Sequence, residues 1–193
     1  MLLESFLVST GVVTLAEMGD KTQLLAFLLA AKFKKPIPIV LGIFIATILN
    51  HGLAGALGFW ITHVLNPDIL RWVLSISFIA MAAWTLKPDK IDDSQSPFAK
   101  KYGVFGATLV TFFLAEMGDK TQLATVAMAA HYSTPILVVA GTTLGMMIAD
   151  IPAVFIGNSF ASKLPMKLIH SIAAGIFALM GVLTLLKVDQ LLK

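Results

Sequence analysis

The chain contains no cysteine in 193 residues. That excludes disulfides, thiolate metal sites and cysteine nucleophiles. Charge is scarce as well. Only 13% of residues are charged, against about 25% in soluble domains, while 58% are hydrophobic and the mean hydropathy is +0.88. This is the composition of an integral membrane protein. The one markedly polar interval, residues 87–101, is loop-sized, so no separate soluble domain is expected. Neither H-E-x-x-H nor G-x-S-x-G occurs, and the expectation is a protein that is not an enzyme. The N-terminus lacks a basic n-region and carries Glu4 instead, so its apolar stretch reads as a retained span rather than a removable signal. The net charge of +3 is small and unevenly distributed, which fits membrane topology and not a nucleic-acid partner.

Against this background the ten-residue string LAEMGDKTQL stands out, because it occurs at residues 15–24 and again, unchanged, at 114–123. Each copy places a Glu, an Asp and a Lys inside an apolar stretch. Each such charge costs roughly 2.5–3.5 kcal/mol on insertion scales, so intramembrane charges are a functional signal. A buried Glu–Lys lock between helices would account for the charge, but it needs neither a second carboxylate nor a duplication.

Apolar runs of helix length fall at residues 2–31, 37–61, 69–86, 102–130, 136–158 and 164–186, which predicts six helices. The first and fourth runs are about 45 Å long as ideal helix, against a hydrocarbon core of about 30 Å, so they must tilt, kink or break. Gly19 and Gly118 mark the expected break points. An offset of 99 residues extends the repeat over the chain, aligning Pro36 with Pro135, Gly42 with Gly141, Gly58 with Gly157 and Met81 with Met180. The expected architecture is therefore an all-α membrane protein of six transmembrane helices in two three-helix repeats, residues 1–90 and 102–193, joined by a linker at 91–101. Three is odd, so the second repeat crosses in the opposite sense, giving inverted-topology repeats. Nine loop lysines on one side, against Arg71, Lys187 and Lys193 on the other, place the linker in the cytoplasm and both termini outside.

Within each motif Glu17 and Asp20, or Glu116 and Asp119, are three residues apart and share a face of a continuous helix. Lys21 and Lys120 follow their Glu by four, a favourable order for an ion pair, and read as counter-charges because an ammonium has no lone pair for a metal. Gln23 and Gln122 offer amide oxygens; Thr22 and Thr121 offer hydroxyls. Counting fifteen residues from each loop sets Asn50 and His51 level with the first motif and Asp150 level with the second, all near the midplane. His51 has three readings: packed core residue, proton relay or ligand. Gly52, Gly55, Gly58, Gly141 and Gly145 read as close-packing positions, and Met146 and Met147 as packing rather than copper ligands.

Five carboxylates (Glu17, Asp20, Glu116, Asp119, Asp150) against two lysines leave a formal charge of about minus three. The expectation is that protons occupy the site until a bound cation displaces them. An all-oxygen donor set suits a hard divalent ion such as manganese, calcium or magnesium, which points to proton-coupled cation exchange. An exporter of a small organic solute such as an amino acid is the alternative that size and helix count permit, although five acidic groups argue against an anionic substrate.

The string E-M-G-D-K-T resembles the signature E-x-G-D-[K/R]-[T/S] of the GDT family of manganese/calcium transporters, which carry it twice, on the first helix of each half. Both copies match in full, and the likeness extends over the whole chain. The resemblance implies roles for Glu17, Gly19, Asp20, Lys21 and Thr22, and for Glu116, Gly118, Asp119, Lys120 and Thr121. It also implies export of manganese, or calcium, against protons. The type implied is a bacterial manganese exporter of the inner membrane with no cofactor, with lipid, a divalent cation and protons as its partners, working as a monomer or homodimer.

Overall fold

The computed structural model describes residues 2–86, 99–132, 134–156 and 166–186. Most of the expected linker, together with Gly157 and with Lys87, Lys90, Lys163, Lys187 and Lys193 of the loop count, lies outside them. The described residues form eight helices and no strand: α1 (Leu2–Glu17), α2 (Lys21–Phe33), α3 (Pro36–Val64), α4 (Pro67–Thr85), α5 (Ala99–Glu116), α6 (Lys120–Tyr132), α7 (Pro135–Ile156) and α8 (Met166–Leu185). Three of them, α3, α4 and α7, are long and apolar enough to cross a membrane, and a fourth span results if the bent pair α1 and α2 is taken together.

Local chemistry sets the boundaries. Pro36, Pro67 and Pro135 each open a helix, where a missing N–H costs nothing. Asn66 caps α4 by accepting from the Ile69 N–H at 2.9 Å. Lys34 closes α2 in the left-handed region (φ 52°), its N–H donating to the Ala30 carbonyl. Along α1, the hydroxyls of Ser9, Thr10 and Thr14 donate to the carbonyls of Ser5, Phe6 and Thr10, so these polar side chains carry no unmet donor into an apolar setting. The α7 helix runs on through Pro152.

The motif helices do break. Gly19 and Gly118 adopt φ of 78° and 77°, a conformation that costs glycine little and other residues more. The chain then turns tightly, the Asp20 N–H reaching the Glu17 carbonyl at 2.9 Å and the Asp119 N–H reaching that of Glu116 at 3.1 Å. The result is a bend of 68° between α1 and α2. Glu17 and Asp20 therefore do not share one face of a continuous helix, as their spacing predicts; they flank a corner.

Helix neighbours are exchanged between the halves. The α3 helix packs along α5, α6 and α7, and α7 packs along α1 and α2, while α4 pairs with α8. Small residues allow the approach. A Cβ on Gly42 would meet Thr108, and one on Gly141 would meet Ser9, two contacts related by the 99-residue offset. Phe78 and Phe177, also 99 apart, are fully buried in the same apolar cluster. Leu29 and Phe33 near the end of α2 cluster with Val104 near the start of α5, and Tyr132 at the end of α6 lies within electrostatic reach of Glu4 near the start of α1. Gly55, Gly58 and Gly145 are close-packed as expected, but Gly52 faces open space. Met146 and Met147 are buried packing residues.

Candidate metal centre

The two corners meet. Two helices end and two begin at one level, and the side chains there are buried: Glu17, Glu116, Asp150, Asn50 and His51 are fully inaccessible, and Asp20, Asp119 and Lys120 are 1% exposed. One oxygen from each of Glu17, Asp20 and Asp119 lies within 4.8 Å of the other two, so the first motif and the second contribute to one cluster. Glu17 is also in electrostatic reach of Glu116 and Asp150, and Asp150 in reach of Asp20.

The lysines pair across the halves. Lys120 Nζ donates to Asp20 Oδ1 at 2.6 Å, and Lys21 Nζ lies 2.7 Å from Asp119 Oδ1. The within-motif Glu–Lys pair suggested by helical spacing does not form, because the break removes the regular turn that would align positions i and i+4. Each lysine instead neutralises the aspartate of the opposite motif. The two pairs differ in setting, since the Lys21 side chain is 29% exposed and that of Lys120 only 1%.

This leaves the glutamates. Neither carboxylate oxygen of Glu17 has a hydrogen-bond partner, nor does either oxygen of Asp150. Glu116 differs: its Oε1 accepts from the Thr121 hydroxyl at 3.0 Å, while Oε2 has no partner. Thr22, which matches Thr121, leaves its hydroxyl unpartnered. The two motifs are identical in sequence and unequal in hydrogen bonding. Buried carboxylate oxygens without donors are costly unless a cation or proton completes them, and hard oxygen donors suit a divalent cation.

The glutamines serve the backbone. Gln23 Oε1 accepts from the Gly19 N–H at 2.7 Å, and Gln122 Oε1 from the Gly118 N–H at 2.6 Å, so each motif glutamine holds its own broken turn. Their amide groups then tie the halves together, Gln23 Nε2 donating to the Ala149 carbonyl at 2.8 Å and Gln122 Nε2 to Asn50 Oδ1 at 3.3 Å. Asn50 in turn donates to the Phe113 carbonyl at 3.0 Å. The loop arithmetic set Asn50 level with the first motif and Asp150 level with the second, whereas the hydrogen bonds beside them run across the halves and the Asp150 carboxylate is in electrostatic reach of the glutamates of both motifs. Asn50 meets the second motif, and the Ala149–Asp150 segment meets the first, because α3 and α7 pack across the halves.

Comparison with known proteins agrees with this chemistry. A profile described as "Divalent cation/proton antiporter GDT1" matches residues 5–93 and 104–190. The chain is 49% identical over 178 residues, 92% of its length and 88% of the relative's, to a Vibrio cholerae protein named "Putative manganese exporter". It is 25% identical over 222 residues, 96% of each chain, to "GDT1-like protein 5" of Arabidopsis thaliana. A third relative, "GDT1-like protein 3" of Oryza sativa, is 26% identical over 201 residues, 91% of this chain and 71% of that one. No solved structure matches. The chain belongs to the GDT1 family of divalent cation/proton antiporters.

Proposed function

We propose that this protein exports manganese from the bacterial cytoplasm across the inner membrane in exchange for protons, with calcium as the second candidate cation. The observation that carries the reading is Glu17: both oxygens buried, neither with a partner, one of them within 4.8 Å of carboxylate oxygens from both motifs. Glu17, Asp20, Glu116, Asp119 and Asp150 supply the oxygen donors. Gln23 and Gln122 are not counted among them, since their polar atoms already serve the turns and the facing helices. Lys21 and Lys120 limit the negative charge when the cation leaves, and protons on the carboxylates supply the remainder.

The reading includes six spans in two inverted repeats, residues 1–90 and 102–193 about a cytoplasmic linker at 91–101, with both termini periplasmic. The contacts of Gly42 with Thr108 and Gly141 with Ser9 support it, as do the matching α2–α5 and α1–α6 proximities. The export direction and the choice of manganese lean on the name of the Vibrio relative.

The test is transport in proteoliposomes, with Mn2+, Ca2+ and Mg2+ offered separately under an imposed pH gradient. Mn2+ flux that follows the gradient and is lost in Glu17→Gln and Glu116→Gln is expected. Flux that ignores the gradient, or survives both substitutions, overturns the reading.

A further inference from the structure

The 99-residue offset pairs each donor in the cluster with a residue of the same type, Glu17 with Glu116 and Asp20 with Asp119, except at one position. Asp150 matches His51. The contacts around the two positions correspond as well. Gln23 reaches the backbone of residue 149, beside Asp150, and Gln122 reaches the side chain of residue 50, beside His51. Asp150 is in electrostatic reach of Asp20, whose counterpart in the second motif, by the same offset, is Asp119.

His51 is fully buried, and neither of its ring nitrogens has a hydrogen-bond partner. Thr47, one turn earlier on the same face of α3, is also fully buried with an unpartnered hydroxyl. A neutral imidazole always presents one N–H and one lone pair, and packing alone rarely leaves both unmet. His63 and His131, by contrast, have partners: the Thr62 hydroxyl and Phe59 carbonyl for the first, the Thr184 hydroxyl for the second.

We propose that His51 is the nitrogen donor that sets this transporter's preference for a first-row transition-metal ion over Ca2+ and Mg2+. Alkaline-earth ions take oxygen ligands, whereas imidazole is a donor to first-row metals. A fully symmetric site, with Asp at both positions, would offer oxygen alone. Replacing one carboxylate by imidazole also removes one negative charge from a crowded cluster, which weakens the hold on Ca2+ without adding a donor it favours. The inference rests on the proposed transport of a divalent cation through this site, and its test separates the two.

The direct measurement is electron spin-echo envelope modulation on the full-length protein loaded with Mn2+ alone. The wild type is expected to show 14N modulation from a coordinated imidazole, and His51→Gln and His51→Asp to retain Mn2+ while losing that modulation. Even groups that only orient a ligand are worth about 10- to 100-fold in metal affinity, so the Mn2+-over-Ca2+ ratio in direct binding should fall by about tenfold or more in His51→Asp. A histidine with a purely structural role would shift both ions together. Bound Mn2+ without 14N modulation in the wild type, modulation that persists in both variants, or an unchanged ion ratio overturns the assignment of His51 and leaves the transport reading standing. A wild type that binds no Mn2+ overturns both.

Discussion

Glu17 and Lys120 are both buried and charged in type, and they have opposite relations to their surroundings. Lys120 donates to Asp20 at 2.6 Å, so its loss strands a buried carboxylate. Breaking a buried pair from one side costs about 3–5 kcal/mol. Lys120→Gln should therefore lower thermal stability in detergent strongly, and Lys21→Gln less, because the Lys21 side chain is 29% exposed and water reaches it. The reverse order in melting experiments would contradict the pairing. Glu17→Gln should behave differently. It removes a charge that has no hydrogen-bond donor and sits among four other carboxylates, so melting should rise or stay level while cation transport falls by about 10- to 100-fold or more. A residue that weakens the fold when kept and abolishes activity when neutralised is the mark of a ligand rather than a strut. Loss of both stability and transport in Glu17→Gln would instead mark it as structural.

At the scale of the element, the broken helix is held by its own sequence. Glycine supplies the positive φ, and the glutamine four residues later holds the glycine N–H. Gln122→Leu should thus loosen the second corner and its tie to Asn50 together, while Gln122→Glu keeps the acceptor for Gly118 but loses the donor to Asn50. Hydrogen exchange at the Gly118 amide should rise in the first variant and change little in the second. The glycines of α3 give a sharper contrast within one helix. A Cβ at Gly58 would run into the Val126 carbonyl and Ala129 of α6, whereas Gly52 has nothing within 4 Å. Gly58→Ala should cost about 1–3 kcal/mol by forcing α3 and α6 apart. Gly52→Ala should gain about 0.5–1 kcal/mol through lower backbone entropy in the unfolded chain. Equal effects of the two substitutions on the melting midpoint would show that α3 and α6 are not in contact there.

For the whole molecule, the exchange of helices between halves makes the site depend on both repeats at once. Neither motif has a complete set alone, since the aspartate of each is neutralised by the lysine of the other. The absence of cysteine makes the topology directly testable. Single cysteines placed at Lys35 and at Thr134, residues 99 apart in the two halves, should be labelled from opposite faces of the membrane in intact cells, Lys35 from the cytoplasm and Thr134 from outside. Labelling of both from one side would rule out inverted repeats. The differing exposure of Lys21 and Lys120 is a whole-molecule property too. Identical sequences in unlike surroundings cannot owe the difference to local chemistry.

That distinction separates what was legible in the residues from what was not. Helix extents followed from apolar runs bounded by proline and loop lysine, because burial in an apolar medium and the proline ring act within a few residues. The breaks at Gly19 and Gly118 were legible for the same reason: an overlong helix and a residue tolerant of positive φ are local facts. The duplicated motif and its carboxylates pointed to a divalent cation through donor chemistry alone. Spacing along a helix also put Asn50 and Asp150 level with the motifs, but it carries no information about which helix lies alongside. Lateral neighbours are chosen by the packing of small residues between α3 and α5 or α1 and α7, a contest among all pairs of faces in the chain. Only the tertiary structure therefore decided that lysine meets the opposite aspartate, that glutamine closes its own turn, and that Asn50 belongs to the second motif.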